Sequence, residues 1–286
     1  MASDGVFYDA VLKLVYEAGN VVREAYNRPT RANVMTKTSA VDLVTETDQK
    51  VEELLIKGLS AQFPDHKFIG EESAAGGQKV ELTDAPTWII DPIDGTTNFV
   101  HRLPFIGICI ALYVKKEAQI GIVYNPILDE LYSARVGQGA YKNGFPIRVS
   151  GTTDLRKSII MLTMGIHCIK SVPGWLDVAM KNNRTFAESG IHGLMCGGAQ
   201  GHRSLGSAAI NMCYVASGGA DAYLEYGLHC WDVAASALIL KEAGGCNIDP
   251  TGAPFDLMAR RILCAGSEEL AQSIVKIIEN VDIPRD

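Results

Sequence analysis

Two aspartates lie three residues apart in the stretch WIIDPIDGTTNF, residues 88–99. The apolar run before them predicts a buried strand that ends at Asp91, because Pro92 has a fixed φ and no amide proton to donate to a sheet. If a helix then begins at Gly95, Asp94 is its N-cap and the unpaired amides beside it form an anion site. Two carboxylates about 4 Å apart repel by about 4 kcal/mol at an effective dielectric of about 20, so the pair needs a proton or, as the better choice, a cation.

Further acidic residues also stand at the ends of predicted elements. Glu71 and Glu72 follow the apolar strand KFIG, and Asp232 opens the predicted helix DVAASALILKEAGG. Each has an ordinary structural interpretation, as a solvated glutamate or as the cap of a helix, and for Asp232 capping is the default. Four acidic groups next to apolar runs nevertheless favour an oxygen-seeking divalent metal such as Mg²⁺. A metal beside helix N-termini would bind phosphate, which indicates metal-assisted hydrolysis of a phosphate ester.

The segment Thr45-Glu46-Thr47-Asp48 opens a second predicted helix, over residues 45–62. A hydroxyl stands at the N-cap position and a carboxylate three residues later, which is an acidic variant of the capping box. Asp48 therefore has a structural interpretation as well as a chemical one.

Other catalytic motifs do not explain the sequence. It contains no GxxxxGK[ST], GxGxxG, HExxH or GxSxG motif. The spacing of Asp91 and Asp94 matches neither the DxD of haloacid dehalogenase-like phosphatases nor an EF-hand loop. The histidines and cysteines that could suggest zinc are irregularly spaced; they are His167, Cys168, His192, Cys196 and His202.

The predicted elements divide the chain into two lobes, 1–150 and 151–286, fused into one compact unit. In the first lobe, a helix over 4–27 precedes a meandering, largely antiparallel sheet formed by KFIG, TWIID, FIGICIALYVKK, AQIGIVYNP and ELYSA, with a hairpin turn at Asn143-Gly144. In the second lobe, strands such as SIIMLT and AYLEY alternate with helices and form a smaller, mixed sheet, so the fold class is α/β of the α+β type. The predicted helices lie at about 173–183, 206–217, 231–243 and 268–280, and a glycine-rich loop covers 186–203.

Composition narrows the class of protein. The chain has 286 residues, 47% of them hydrophobic, which is enough for a sizeable core. With 33 acidic and 26 basic residues the net charge is −7, and no basic block favours nucleic acid. The longest apolar run, FIGICIALYV, is too short to span a membrane. Seven scattered cysteines without a CxxC pair are typical of reduced thiols in the cytoplasm.

The sequence resembles the lithium-sensitive, Mg²⁺-dependent inositol monophosphatases in three acidic motifs that occur in the same order. These motifs are GEES at 70–73, WIIDPIDGTTNF at 88–99 and WDVAAS at 231–236. The similarity extends from NVMTKTSAVDLVTETDQKVEE near the start to TGAPFDLMARR near the end. It implies a layered αβαβα sandwich of the sugar-phosphatase fold, usually a homodimer, that hydrolyses myo-inositol monophosphates to inositol and phosphate. It also implies two to three Mg²⁺ ions per subunit and inhibition by Li⁺.

The resemblance further implies roles for individual residues. Glu71, Asp91 and the Ile93 carbonyl would hold one Mg²⁺, and Asp91, Asp94 and Asp232 a second, with a third, weaker ion near Glu71. Thr96 and Asp48 would orient and help deprotonate the metal-bound water, and Glu71 would be the third catalytic residue. The implied substrate contacts are Glu71, Ile93, Asp94, Gly95, Thr96, Gly206, Ser207, Ala208, Glu225 and Asp232, and Lys37 would lie in a loop that closes near the metals.

Some of these positions have simpler interpretations. Gly206-Ser207 is also a plain helix start, Glu225 a solvated strand residue and Lys37 one more surface charge. Residues 163–203 depart from the family, because Ile166 or His167 stands where relatives carry a serine-bearing GSSR-like segment. The substrate range is therefore the least defined feature, and galactose 1-phosphate is a further candidate. The alternatives are a related fructose-bisphosphatase or nucleotide 3'-phosphatase, and a non-catalytic binder of divalent ions or inositol phosphates.

Overall fold

The structure is a computed structural model that describes residues 4–28, 34–36, 43–188 and 199–286. Its helices in these ranges are α1 (Asp4–Tyr26), α2 (Glu46–Gln62), α3 (Glu71–Ala75), α4 (Thr96–His101), α5 (Trp175–Ala187), α6 (Ala208–Ala216), α7 (Cys230–Glu242) and α8 (Glu268–Val275). The strands are β1 (Val34–Thr36), β2 (Leu43–Thr45), β3 (Lys67–Gly70), β4 (Thr87–Asp94), β5 (Gly107–Val114), β6 (Glu117–Asn125), β7 (Glu130–Arg135), β8 (Ala140–Lys142), β9 (Phe145–Ile147), β10 (Ile159–Leu162), β11 (Gly201–Arg203), β12 (Ala222–Tyr226), β13 (Cys246–Ile248) and β14 (Arg261–Ala265).

Most predicted helices form close to their predicted limits. The capping box predicted before α2 is confirmed, since the Thr45 side chain accepts from the Thr47 amide and Asp48 accepts from the Thr45 amide. The predicted helix over 268–280 is too long, because α8 ends at Val275. The predicted loop over 186–203 contains the end of α5 and the short strand β11, while residues 189–198 lie outside the described residues.

The first sheet has seven strands in the order β3-β4-β5-β6-β7-β8-β9. Its pairs are antiparallel apart from β3 and β4, which run parallel, so the prediction of a largely antiparallel sheet is confirmed. The turn between β8 and β9 is the predicted Asn143-Gly144, with φ values of 50° and 80°. Such positive φ values suit a tight hairpin, and asparagine and glycine adopt them most readily.

The second sheet has five strands in the order β11-β10-β12-β14-β13. Strand β10 runs parallel to both β11 and β12, whereas β14 is antiparallel to β12 and β13. This is the smaller, mixed sheet that was predicted for the second half of the chain. The first sheet ends at Ile147 and the second begins at Ile159, so the boundary near residue 150 falls between them and stays a prediction.

Helices and sheets stack in five layers. α1 and α2 pack on one face of the first sheet, α6 and α7 lie between the two sheets, and α5 and α8 contact the second sheet from its other side. The αβαβα sandwich is therefore confirmed. No helix in the described ranges combines the length and apolar character needed to cross a membrane.

The middle layer explains the composition of α7. Ten of its thirteen residues are buried, as expected of a helix that is covered on two sides by sheets. α7 packs closely against the first sheet at Gly121, where an added Cβ would lie 2.4 Å from the Ala235 carbonyl oxygen. The first turn of α7, which contains Asp232, lies near the edge of the first sheet where β3 and β4 end.

Candidate active site

The end of β4 differs from the sequence-based prediction in two ways. Strand β4 continues through Pro92 to Asp94, and its pairing with β5 shifts register between Asp91 and Asp94 instead of stopping. The N-cap of α4 is Gly95, with φ 92°, so the prediction that Asp94 caps this helix is wrong. Both aspartates beside this register shift are buried: Asp91 is 1% exposed and Asp94 is 8% exposed.

Four acidic side chains from three elements meet at this edge. Glu71 is the first residue of α3, and the parallel register of Gly70 with Ile90 sets it beside Asp91. The Asp91 and Glu71 carboxyl groups are in hydrogen-bond contact, and Asp94 and Asp232 are near enough to act electrostatically on Asp91. The predicted ligands therefore lie together, although two come from β4 and the others from α3 and α7.

Burial and mutual repulsion change the acidity of these groups. Burial raises the pKa of Asp91 well above its usual range, and the charges of Glu71, Asp94 and Asp232 raise it further. Burial likewise raises the pKa of Asp232, with a second contribution from Asp94. Burial raises the pKa of Asp94 to about 7, although hydrogen bonds from the start of α6 oppose the shift. Such a cluster is stable only with protons or cations among its carboxylates.

The chemistry of this donor set fits Mg²⁺. Within the described residues, no three His, Cys, Asp or Glu side chains already surround one point as a finished metal cage. The groups that converge are nevertheless all carboxylates, and the adjacent Ile93 carbonyl oxygen adds a neutral oxygen donor close to the Thr96 hydroxyl. Carboxylate and carbonyl oxygens are the ligands of hard cations, whereas zinc and copper sites use imidazole and thiolate.

Asp48 and Thr96 form a second feature of the site. The Thr96 hydroxyl lies 3.1 Å from Asp48 Oδ1 and 3.1 Å from the Ile93 carbonyl oxygen. Asp48 is 1% exposed, and burial raises its pKa to about 6, a shift that hydrogen bonds from Thr45 and Thr96 oppose and the charge of Glu71 reinforces. A carboxylate with a pKa near neutrality, bonded to a hydroxyl, is suited to general-base chemistry.

The start of α4 lies against the start of α6. An added Cβ on Gly95 would lie 3.0 Å from the Phe105 oxygen and 3.1 Å from the Gly206 oxygen, so only glycine fits this position and its positive φ. The Asn98 side chain ties the same helix to the neighbouring segment through the Leu205 carbonyl, at 2.7 Å. The predicted phosphate-binding and sugar-binding segments are thus adjacent.

Ser207 and the residues after it bind Asp94 directly. The Ser207 hydroxyl donates to Asp94 Oδ2 at 2.6 Å, and the Ala209 amide donates to the same oxygen at 2.7 Å. The Ala208 amide is 3.3 Å from Oδ1. Ser207 is also the N-cap of α6, so the interpretation of Gly206-Ser207 as a helix start is correct and coexists with a contact to the acidic cluster.

Glu225 lies on β12 at the side of the cluster. Tyr223 donates a hydrogen bond to its carboxylate, and burial raises the pKa of Glu225. The charge of Glu225 in turn contributes to the raised pKa of Asp94 and Asp232. Glu225 therefore belongs to the same electrostatic group as the acidic cluster. The alternative interpretation, a solvated strand residue, does not explain these contacts.

The unusual segment that begins at residue 163 lies next to Glu225. Ile166–Cys168 form a short 3-10 turn in which Ile166 is 60% exposed. The His167 ring hydrogen-bonds to the backbone of Tyr226 and Gly227, and burial lowers its pKa. His192, Cys196 and the predicted loop residue Lys37 lie outside the described residues.

Sequence reasoning missed Asp286, which holds the first turn of α7. Its Oδ1 lies 2.6 Å from His229 Nδ1, and its Oδ2 accepts from the Cys230 amide at 3.0 Å. The N-cap of α7 is His229, and Asp232 is the third residue of the helix, so the default interpretation of Asp232 as the helix cap is replaced by a capping box in which Asp232 accepts from the His229 amide at 2.7 Å. No local pattern in the sequence signals Asp286, because it reaches α7 from a distant part of the chain.

Comparison with known proteins agrees with this geometry. The profile of the Inositol monophosphatase family matches residues 6–282. The chain belongs to the inositol monophosphatase family. It is 47% identical over 278 residues to human Inositol monophosphatase 1, with 97% of this chain and 96% of the relative covered. It is 44% identical over 279 residues to human Inositol monophosphatase 2, with 98% and 92% covered.

Solved structures of the same fold agree at lower sequence identity. The extragenic suppressor protein suhB of Bartonella henselae has a TM-score of 0.82 and 28% identity, and covers 96% of this chain and 99% of its own. The IMPase of Thermotoga maritima has a TM-score of 0.79 and 30% identity, with 94% and 97% covered. The family is one of metal-dependent phosphatases that act on phosphate monoesters.

Proposed function

We propose that this protein hydrolyses myo-inositol monophosphates to myo-inositol and phosphate, with Mg²⁺ as cofactor and by direct attack of water. The observation that carries the proposal is the meeting of four carboxylates from three elements beside the Asp48–Thr96 pair. Membership of the inositol monophosphatase family supports it. So does the IMPase-II of Staphylococcus aureus, which is 27% identical and was solved with inositol monophosphate bound.

The carboxylates would hold the metal and, through it, the phosphate. We assign Glu71, Asp91 and the Ile93 carbonyl to one ion, and Asp91, Asp94 and Asp232 to a second. When bound, Mg²⁺ would neutralise the charge of the phosphate and make water a stronger nucleophile. The raised pKa values of Asp91 and Asp232 support this assignment, because they result from burial and from repulsion between the carboxylates, and a bound divalent cation would offset that repulsion.

Asp48 and Thr96 would activate the attacking water. When Thr96 donates its proton to Asp48, the lone pairs of its hydroxyl oxygen can accept a hydrogen bond from water. Asp48 is then the final proton acceptor, and its burial, reinforced by the charge of Glu71, raises its pKa and keeps it basic. A protein that only binds ions or inositol phosphates needs no such pair, so this contact favours an enzyme. Because water attacks directly, the reaction needs no covalent enzyme intermediate.

The remaining predicted contacts would bind the substrate. The Gly95 and Thr96 amides would receive the phosphate, and Gly206, Ser207 and Ala208 would line the sugar side. Glu225 would accept hydrogen bonds from inositol hydroxyls. The contact of α4 with α6 supports this division, because it brings both segments to the same cluster.

Several properties follow from family membership. We propose two to three Mg²⁺ ions per subunit, inhibition by Li⁺, a homodimer and a cytoplasmic location. The six described cysteines are unpaired, which suits a reducing compartment. Leu176 and Met180, one turn apart on α5, are 46% and 54% exposed and could contribute to a subunit contact. Light scattering at several protein concentrations would measure the oligomeric state.

The central experiment measures phosphate release from myo-inositol 1-phosphate with Mg²⁺, with chelator and with Li⁺. Chelator and Li⁺ should each suppress the release. Asp91→Asn should lower it at least about a thousandfold, because Asp91 is assigned to both ions and metal catalysis supplies several kcal/mol. The exposed residue Asp84 lies before the same strand, and Asp84→Asn should leave activity unchanged. Strong activity in Asp91→Asn would contradict the metal assignment.

A nucleotide monophosphate is a second candidate substrate. The Staphylococcus aureus IMPase-II was also solved with 2'-AMP bound, at 26% identity to this chain. The departure at residues 163–168, where a 3-10 turn lies beside β12, supports a changed substrate range. Comparison of kcat/KM for inositol 1-phosphate, galactose 1-phosphate and 2'-AMP would decide which class the pocket prefers.

A further inference from the structure

Glu52, on the second turn of α2, is a buried carboxylate that the proposed chemistry does not use. It is 3% exposed, and three donors surround it. Its Oε2 accepts from the Glu72 amide at 2.7 Å, and its Oε1 accepts from the Ser73 amide at 2.8 Å and from the Ser73 hydroxyl at 2.5 Å. All three donors belong to α3, the short helix that begins with Glu71.

These are the donors that an N-cap side chain would satisfy. The N-cap of α3 is Gly70, which has no side chain and makes no capping hydrogen bond. Glu72 and Ser73 are the second and third residues of the helix, and their amides are the ones that a capping oxygen accepts. Glu52 therefore caps α3 from a different helix, 20 residues earlier in the chain.

The fit of Glu52 also explains why residue 70 is glycine. The backbone of Gly70 is extended, with φ −122°, so any residue could adopt it. An added Cβ would, however, lie 2.5 Å from Glu52 Cδ and within 2.7 Å of both carboxylate oxygens. Glycine is required here by the space that Glu52 occupies.

We propose that Glu52 is a positioning residue, which holds the first turn of α3 so that Glu71 faces Asp91 and takes its place in the metal site. The proposal rests on the proposed metal-dependent function. The register of β3 with β4 brings residue 71 to the level of Asp91, and the cap fixes the direction in which its side chain leaves the backbone. Because Gly70 has no side chain, the N-cap residue of this five-residue helix cannot supply the cap itself, and the Glu52 carboxylate does so.

The test replaces Glu52 with glutamine and measures Mg²⁺ binding by calorimetry in the absence of substrate. Glutamine keeps the size of the side chain but replaces one of the two acceptor oxygens with an NH2 donor, so at least one of the hydrogen bonds to the α3 amides is lost and the cap is weakened. The dissociation constant for Mg²⁺ should rise about 10- to 100-fold, the usual effect of losing a partner that orients a metal ligand. At saturating Mg²⁺, KM for inositol 1-phosphate should change less than threefold. Glu53→Gln, with the same charge change at an exposed position, should match the parent.

A second pair of variants covers the case in which Glu52→Gln folds poorly. Gly70→Ala pushes the carboxylate away without changing Glu52 and should also weaken Mg²⁺ binding. In a Glu52→Ala background the new methyl group has room, so Gly70→Ala should then have little additional effect. Additive effects of Gly70→Ala and Glu52→Ala would contradict the proposal.

The outcomes separate the two proposals. If Glu52→Gln lowers stability but leaves the Mg²⁺ dissociation constant within twofold of the parent, Glu52 has only a structural role and the inference is wrong. A parent protein that binds Mg²⁺ but releases no phosphate contradicts the proposed function alone. A parent that binds no Mg²⁺ contradicts both.

Discussion

Asp48 divides its two carboxylate oxygens between two elements. Oδ2 accepts from the Thr45 amide at the start of α2, and Oδ1 is 3.1 Å from the Thr96 hydroxyl at the start of α4. The capping bond fixes the carboxylate, so the other oxygen is held ready for Thr96. At the scale of the residue, the structural and the chemical interpretations of Asp48 are both correct and depend on each other.

Thr96→Val tests this contact. We expect kcat to fall about 10²- to 10⁴-fold, the usual contribution of a positioned proton-transfer group, while KM changes little. Thr96→Ser keeps the hydroxyl and should retain most of the activity. Thr97→Val, at the exposed neighbouring position, is the control for loss of a threonine hydroxyl. A valine variant with kcat within threefold of the parent would exclude Thr96 from water activation.

At the scale of the element, the cluster depends on contacts between helices and strands that are far apart in sequence. Asp94 ends β4 and accepts from the Ser207 hydroxyl and the Ala209 amide of α6. The carboxylate therefore supports the start of α6, while α6 holds the carboxylate in the cluster. The stability of this helix and the geometry of the site are coupled through Ser207.

Ser207→Ala should show that coupling. It removes the α6 cap and a donor to Asp94, so the free energy of unfolding should fall by about 1–2 kcal/mol in urea titrations. The Mg²⁺ concentration for half-maximal activity should also rise. Ser267→Ala removes the equivalent cap of α8, where the serine has no aspartate partner, and should lower stability while leaving the Mg²⁺ response unchanged. Equal Mg²⁺ responses in the two variants would show that Ser207 acts only as a cap.

For the whole molecule, burying like charges has a cost that depends on pH. The folded-state pKa of Asp94 is about 7, whereas its value in an unfolded chain is about 4. Between these pH values the folded protein binds more protons than the unfolded protein. The contribution of this group to stability is therefore fully present below about pH 4 and is lost as the pH rises toward 7. Asp91 and Asp232 shift in the same direction.

Mg²⁺ should reverse this loss. We expect Mg²⁺ to raise the melting temperature more at pH 8, where the carboxylates are mostly charged, than at pH 5.5, where protons occupy them. The measurement is a thermal scan with chelator and with Mg²⁺ at each pH. Other titrating groups are present in both conditions, so the difference isolates the cluster. An equal increase at both pH values would show that Mg²⁺ binds elsewhere.

The sequence by itself determined the local features of this protein. The capping box before α2, the hairpin at Asn143-Gly144 and the alternation of strands and helices depend on neighbouring residues. Spacing alone already indicated an acidic, oxygen-rich site at the end of a buried strand, and the resemblance supplied the layer order. Each of these features depends on short-range stereochemistry or on a pattern of apolar residues.

Only the tertiary structure decided which distant groups hold that site. Asp94 binds the start of α6, 113 residues away at Ser207, and does not cap α4. Glu52 caps α3 from α2. Asp286 accepts from the Cys230 amide at the start of α7, which lies 56 residues earlier in the chain. None of these partners lies at a spacing that any helix or strand repeat predicts. They meet because the layers pack the ends of β3, β4, α6 and α7 against one another, and buried carboxylates must find donors wherever that packing places them.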